Sequence, residues 1–254
     1  MVTGSTAGIG LAIASALARE GASVIVNGRT QKRVDEAIDK IKSEHSNADV
    51  SGIAADLSTA EGAKNITDAA PEIDILINNM GIFEPKAFET IPDEDWTKFF
   101  ETNVMSGVRL SRFYLPKMKE QDWGRIIFIS SESAVNIPSE MIHYGMTKSA
   151  QLSIARGLAE TTVGTNVTVN SVLPGPTASE GVSIFVGQMA EEQKISTDEM
   201  EKQFFETARP ASLLKRFIEP SEIADFVAFV ASPLSSATNG AALRAEGGLL
   251  RSMI

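Results

Sequence analysis

The run Thr3-Gly4-Ser5-Thr6-Ala7-Gly8-Ile9-Gly10 sets three glycines where a chain could wrap a pyrophosphate. Glycine permits the tight turn, lets main-chain N–H groups approach an anion, and lets the next helix pack closely on a strand. The helical stripe Ile9, Ile13, Leu17 starts at once, so the N–H groups at that helix start would attract phosphate. A glycine trio alone is weak evidence, because turns collect glycine. Here it lies between a strand remnant and a helix, and a second strand follows. After that strand comes Asn27-Gly28-Arg29-Thr30, the place where a dinucleotide fold meets the adenosine ribose. An acidic residue there would favour the free 2′-hydroxyl of NAD, and none is present. Arg29, with the hydroxyl of Thr30 beside it, offers a guanidinium for a 2′-phosphate. Its other reading is a solvated arginine that opens the helix at 31–43.

Composition removes several kinds of chemistry. The 254 residues contain no cysteine and two histidines, His45 and His143, so thiolate nucleophiles, zinc–thiolate sites and imidazole-built metal centres are not expected. Thirty-three acidic against 23 basic side chains give a formal charge of −10, which repels nucleic-acid backbones and anionic lipid surfaces. No stretch reaches the roughly 18 apolar residues of a membrane span, and no basic-then-apolar leader opens the sequence. The expectation is a soluble, cytoplasmic protein without nucleic-acid or membrane partners.

These groups must be held by elements, and the apolar pattern supplies them. Short strand candidates at 23–27, 50–55, 74–78, 125–130, 166–173 and 242–245, most of them continuous apolar runs, alternate with helix-period segments, the pattern of an α/β wound parallel sheet. Val34, Ala37, Ile38 and Ile41 form one helical stripe, and 92–121 and 144–162 read as two longer helices. One segment breaks the rhythm. Residues 180–216 insert about one extra helical unit, with acidic residues interleaved with Phe185, Met189, Met200, Phe204 and Phe205. Such an excursion reads as an active-site cover, with an ordinary surface helix pair as its alternative.

At this point the sequence resembles the short-chain dehydrogenase/reductase family, in its compact single-domain branch, along nearly its whole length. The loop at 3–10 matches TGxxxGxG, and Asp56-Leu57 matches the Asp-apolar pair that meets adenine. Asn78-Asn79-Met80-Gly81 matches NNAG with methionine for alanine, and Tyr144-Gly145-Met146-Thr147-Lys148 matches YxxxK. Pro174-Gly175-Pro176-Thr177 looks like the PG segment at the nicotinamide end, with Ser179 where threonine is common. The resemblance implies a Rossmann-type doubly wound sheet with helices on both faces, in one domain spanning 1–254 with a substrate lid at 180–216.

It also implies the chemistry. Tyr144 would be the general acid for carbonyl reduction, and Ser131, 13 residues earlier, would hydrogen-bond the substrate oxygen. Lys148, four residues on and so on the same helix face, would hold the nicotinamide ribose and lower the tyrosine pKa. Asn103 would hold a water that relays protons to the lysine; on residue type alone it reads as a solvated helix position. His143 points about 100° away around the helix, as a wall residue. The expected cofactor is NADP(H) before NAD(H), and the expected substrate a small carbonyl or alcohol compound. The alternatives are a 3-oxoacyl carrier-protein reductase, disfavoured by the acidic lid, and a dinucleotide sensor without turnover, disfavoured by the complete Ser131, Tyr144 and Lys148 set. Apolar residues around much of the 144–162 helix imply a homo-oligomer, a tetramer or dimer.

The sequence also departs from the family. Only Met1 and Val2 stand where the first, central strand would run, so either the start is truncated or mis-assigned or that strand is unusually short. Met80 adds bulk near the adenosine side, and Glu246-Gly247-Gly248 stands in place of Asp-Gly-Gly.

Overall fold

Along the strands successive apolar side chains leave the sheet on opposite faces, and two cores result. In the computed structural model, which describes residues 1–253 apart from the side chain of Phe185, the elements follow in chain order. They are α1 (Gly8–Arg19), β1 (Val24–Gly28), α2 (Gln31–Glu44), β2 (Val50–Ala54), α3 (Ala60–Ala69) and β3 (Ile75–Asn78). There follow α4 (Asp93–Phe100), α5 (Ser106–Glu120), β4 (Gly124–Ile129), α6 (Ile142–Glu160) and β5 (Val167–Pro174). The chain closes with α7 (Glu180–Gln193), α8 (Thr197–Thr207), α9 (Pro220–Ala231) and β6 (Ala242–Ala245). Ile77, Ile127 and Ile129 face one core with Ile13, Val34, Ile41 and Val227 of α1, α2 and α9. Leu76, Ile126 and Phe128 face the other with Ile66, Leu110, Tyr114 and Ala155 of α3, α5 and α6. The fold is therefore an α/β Rossmann-type sheet covered on both faces.

All strand pairs are parallel. β2 pairs with β1, and β3, β4, β5 and β6 follow one another. The two groups are joined by Val2, which bridges Val26 on one side and Ile77 on the other. The central strand is thus one ladder residue long, held by Val2 N–H to Ile25 O at 3.0 Å and Thr3 N–H to Ile77 O at 3.0 Å. Ser5 reinforces it, donating to Val2 O at 2.7 Å and accepting from Asn27 N–H at 2.9 Å.

Two expectations from periodicity are corrected. The single helix read at 92–121 is broken into α4 and α5 by a π-helical turn, Glu101–Met105. A π turn inserts a residue without disturbing the amphipathic pattern on either side, so periodicity does not register it. The excursion at 180–216 holds two helices, not one. They meet at Lys194, whose φ of 56° closes α7, and Ser196 with Glu199 forms a capping box that starts α8. Val186, Ala190, Met200, Phe205 and Phe217 form a small core of their own there. The ends of this excursion are stitched together, Ala178 N–H donating to Ile218 O and Ile218 N–H to Pro176 O, both at 2.8 Å.

Candidate active site

Parallel strands deliver their following loops to one edge of the sheet, and the glycine-rich turn, Ser131 and the 174–177 segment all emerge there. At the turn, Gly8 has a φ of +55°, and a Cβ on Gly10 would fall 2.4 Å from Asn79 Nδ2 and 2.5 Å from Gly4 O. Asn79 is the buckle, its Nδ2 donating to Thr3 O at 2.9 Å and Gly4 O at 3.1 Å. No side chain caps α1, whose N-cap is Ala7, so its first-turn N–H groups remain for an anion. Gly10 is thus required for the close packing of the turn on Asn79 and Gly4, and the uncapped start of α1 beside it fits a dinucleotide pyrophosphate.

The other expected cofactor residues divide into exposed and inward-facing groups. Arg29 is exposed and makes no ion pair among the described residues, and Thr30 beside it is exposed at the N-cap of α2. The Asp56 carboxylate is exposed and fixed by Ser58, whose N–H and hydroxyl donate to it at 3.0 and 2.8 Å. Leu57, by contrast, is fully buried in the core, and the Ser5 hydroxyl is spent inside the sheet. Neither side chain faces the cradle, so only their backbones remain for the cofactor. Ile9, Gly81, Pro174, Gly175 and Thr177 line a cavity of about 440 Å³.

Ser131, Tyr144 and Lys148 line the same cavity. Ser131 follows β4 and caps a short 3-10 turn, Glu132–Ala134, accepting from Ser133 N–H at 3.1 Å. Tyr144 stands in the first turn of α6 with Phe83 edge-on, ring centroids 6.3 Å apart. Burial around the phenol pushes its pKa up to about 12, and the hydrogen bond with Ser131 pulls the other way. Lys148 is buried, donating from Nζ to Ile129 O at 2.8 Å and Gln151 Oε1 at 3.3 Å. Burial lowers its pKa to about 7. The Lys148 Nζ is turned to these oxygens and lies 5.6 Å from the Tyr144 ring centroid.

Asn103 lies in the π turn, and it is buried rather than solvated. Its side chain closes a loop against Ile82, Oδ1 accepting from Ile82 N–H at 2.8 Å and Nδ2 donating to Ile82 O at 2.9 Å. Its main-chain carbonyl accepts from Gln151 Nε2 at 2.6 Å. Gln151, 1 % exposed, therefore ties Asn103 to Lys148. Sequence reading passed over it, although a polar residue three past Lys148 shares its buried face.

Sequence reading also missed a charged group in the cavity wall. Glu132 is buried beside Ser131, and Arg209, just beyond α8, donates to it at 3.4 Å and to Glu140 at 3.2 Å. His143 is no wall residue. It is fully buried against Phe99 and Trp96, outside the cavity lining, with both ring nitrogens unpartnered. From the 180–216 excursion Val182, Val186, Met189 and Phe204 face the cavity, with Phe217 just past its end; the side chain of Phe185 lies outside the described residues. Among the described residues no group of three or more acidic or histidine side chains could hold a metal, and no helix is long and apolar enough to cross a membrane.

A family model for short chain dehydrogenases matches residues 1–186. The chain is 53% identical over 253 residues to the uncharacterized oxidoreductase YvaG of Bacillus subtilis, covering 100% of this chain and 96% of that protein. It is 30% identical to a 3-oxoacyl-[acyl-carrier-protein] reductase of Aquifex aeolicus, covering 98% and 96%. Among solved structures, the L-sorbose reductase of Gluconobacter frateurii, complexed with NADPH and L-sorbose, superposes with a TM-score of 0.92 at 29% identity, covering 99% of this chain and 96% of that one.

Proposed function

Since the chain belongs to the short-chain dehydrogenases, a family of oxidoreductases, we propose that it is an NADP(H)-dependent enzyme interconverting a small carbonyl compound and its alcohol. One observation carries the reading. A single cavity is lined both by the cofactor-side residues Ile9, Gly81 and Thr177 and by Ser131, Tyr144 and Lys148. When bound, the nicotinamide supplies or takes the hydride.

The side chains do the rest. Ser131 and Tyr144 present two hydroxyl donors to one carbonyl oxygen, polarising it and stabilising the charge that grows there. With its pKa pushed up to about 12, Tyr144 is neutral at physiological pH and ready to act as the acid of reduction. Lys148 and the backbone of the 174–177 segment hold the ribose and amide ends of the cofactor, and Asn103 and Gln151 keep the lysine in place. Arg29 and Thr30 take the 2′-phosphate, in keeping with NADPH in the sorbose reductase.

The 30% identity to a 3-oxoacyl carrier-protein reductase supports a second reading, a β-keto thioester substrate. The exposed lid acids Glu191, Glu192, Asp198 and Glu199 oppose docking of an acidic carrier. Homo-oligomer formation is part of the proposal, since Ala150, Leu152, Ile154 and Leu158 on α6 stay partly exposed. The test of the main reading is NADPH oxidation against ketones, aldehydes, quinones and sugars. Turnover is expected, and Tyr144→Phe abolishes it while cofactor binding persists; a Tyr144→Phe protein working at the unmodified rate would refute the mechanism.

A further inference from the structure

Given a carbonyl held by Ser131 and Tyr144, as the reading above has it, the remaining cavity wall constrains the rest of the substrate. Most of that wall is apolar, from Ile82, Phe83, Val182, Phe204 and Phe217. Arg209 interrupts it. Its Nε donates to Glu132 Oε1 at 3.4 Å and its Nη1 to Glu140 Oε1 at 3.2 Å and Ala208 O at 2.8 Å. Nη2 has no acceptor among the described residues and is not sealed from solvent. The guanidinium is thus pinned, with its carbon 5.7 Å from the Phe204 ring centroid and the two N–H groups of Nη2 left over. Arg209 and Glu132 line the same cavity as Ser131 and Tyr144, and Glu132 directly follows Ser131 in the chain.

Charge decides what that donor can take. Two carboxylates already face one guanidinium, so a substrate carboxylate would bring a third negative charge into a largely apolar site. A hydroxyl, keto or ester oxygen accepts from Nη2 and brings none. We propose that Arg209 reads a second, uncharged oxygen on the substrate, so that the enzyme acts on neutral carbonyl compounds bearing a hydroxyl, keto or ester oxygen near the reacting carbon, with an apolar remainder. Plain ketones leave the donor unmet, and keto acids are repelled.

Four substrates of matched size separate these classes: hexan-2-one, hexane-2,3-dione, ethyl acetoacetate and 2-oxohexanoate. With NADPH, kcat/KM for the dione and the keto ester is expected to exceed that for hexanone by about tenfold or more, with the keto acid lowest. Thermal shifts of the NADPH complex with each compound read the same order as binding. Arg209→Gln and Arg209→Lys, checked for fold by circular dichroism, are expected to bring the dione-to-hexanone ratio to about one. The proposal is overturned if the unmodified enzyme treats hexanone and dione alike, if it prefers the keto acid, or if the ratio survives both substitutions. A flat ratio with Tyr144-dependent hexanone turnover overturns it and leaves the oxidoreductase reading standing. Preferential binding of the dione without any turnover supports it and removes that reading instead.

Discussion

Lys148→Met should make the protein more stable at neutral pH while destroying its activity. Burial lowers the Lys148 pKa from the ordinary 10.5 to about 7. The unfolded chain keeps that proton up to 10.5 and the folded chain only to about 7, so between those values the unfolded state binds more protons and stability rises with pH. Read downward, the drop corresponds to a penalty of about 5 kcal/mol, absent above pH 10.5 and fully developed below pH 7. Methionine escapes it but forfeits the hydrogen bonds to Ile129 O and Gln151, and the unmet carbonyl costs about 1–3 kcal/mol. The net expectation is a gain of about 2–4 kcal/mol at pH 7, or roughly 5–15 °C in Tm. Urea unfolding of both proteins at pH 7 and pH 10 measures it, with the gap shrinking at the higher pH. A Lys148→Met protein no more stable than its parent at pH 7, or a gap unchanged by pH, would refute the account of the buried ammonium.

Arg29→Glu is expected to lower NADPH affinity about ten- to a hundredfold and spare NADH, by loss of a charge-assisted pair of about 1.5–3 kcal/mol; fluorescence titration with both cofactors reads it. Equal affinities in the unmodified protein would remove the basis for that expectation. Gln151 acts through Lys148 as a positioning residue. Gln151→Leu should move the free-enzyme titration near pH 7 downward and Gln151→Glu upward, and pH profiles unmoved by either would make Gln151 mere packing. Amide hydrogen exchange should find 180–216 the fastest ordered segment of the free protein, slowed by NADPH with substrate; protection equal to that of β4 and β5 would contradict a moving lid.

The sheet was readable from residue type because most strands are short apolar, β-branched runs, and observed boundaries fall within a residue of those expected. Val2 shows the limit. Its role as the whole central strand depends on partners 24 and 75 residues away, which no local pattern reports. Asn103 was placed by motif, but its burial follows from a π turn whose extra residue leaves amphipathicity intact. The Glu132–Arg209 pair spans 77 residues, and a lone arginine beyond an acidic helix reads as a surface charge until the chain folds. For Leu57 and Ser5 a motif does not tell side chain from backbone, and both side chains serve the core.

The two ends of the 180–216 excursion, stitched at Pro176, Ala178 and Ile218, make it a cassette in the evolutionary sense. Its aromatic knot of Phe204, Phe205 and Phe217, with ring centroids 5.1–5.2 Å apart, is satisfied internally and draws little on the sheet. A lineage can therefore lengthen, trim or replace the segment between those anchors while the catalytic frame keeps its sequence, and loop-closure cost grows only slowly with length. New substrate ranges would arise by exchanging this block whole, with Arg209 travelling inside it and Glu132 staying behind.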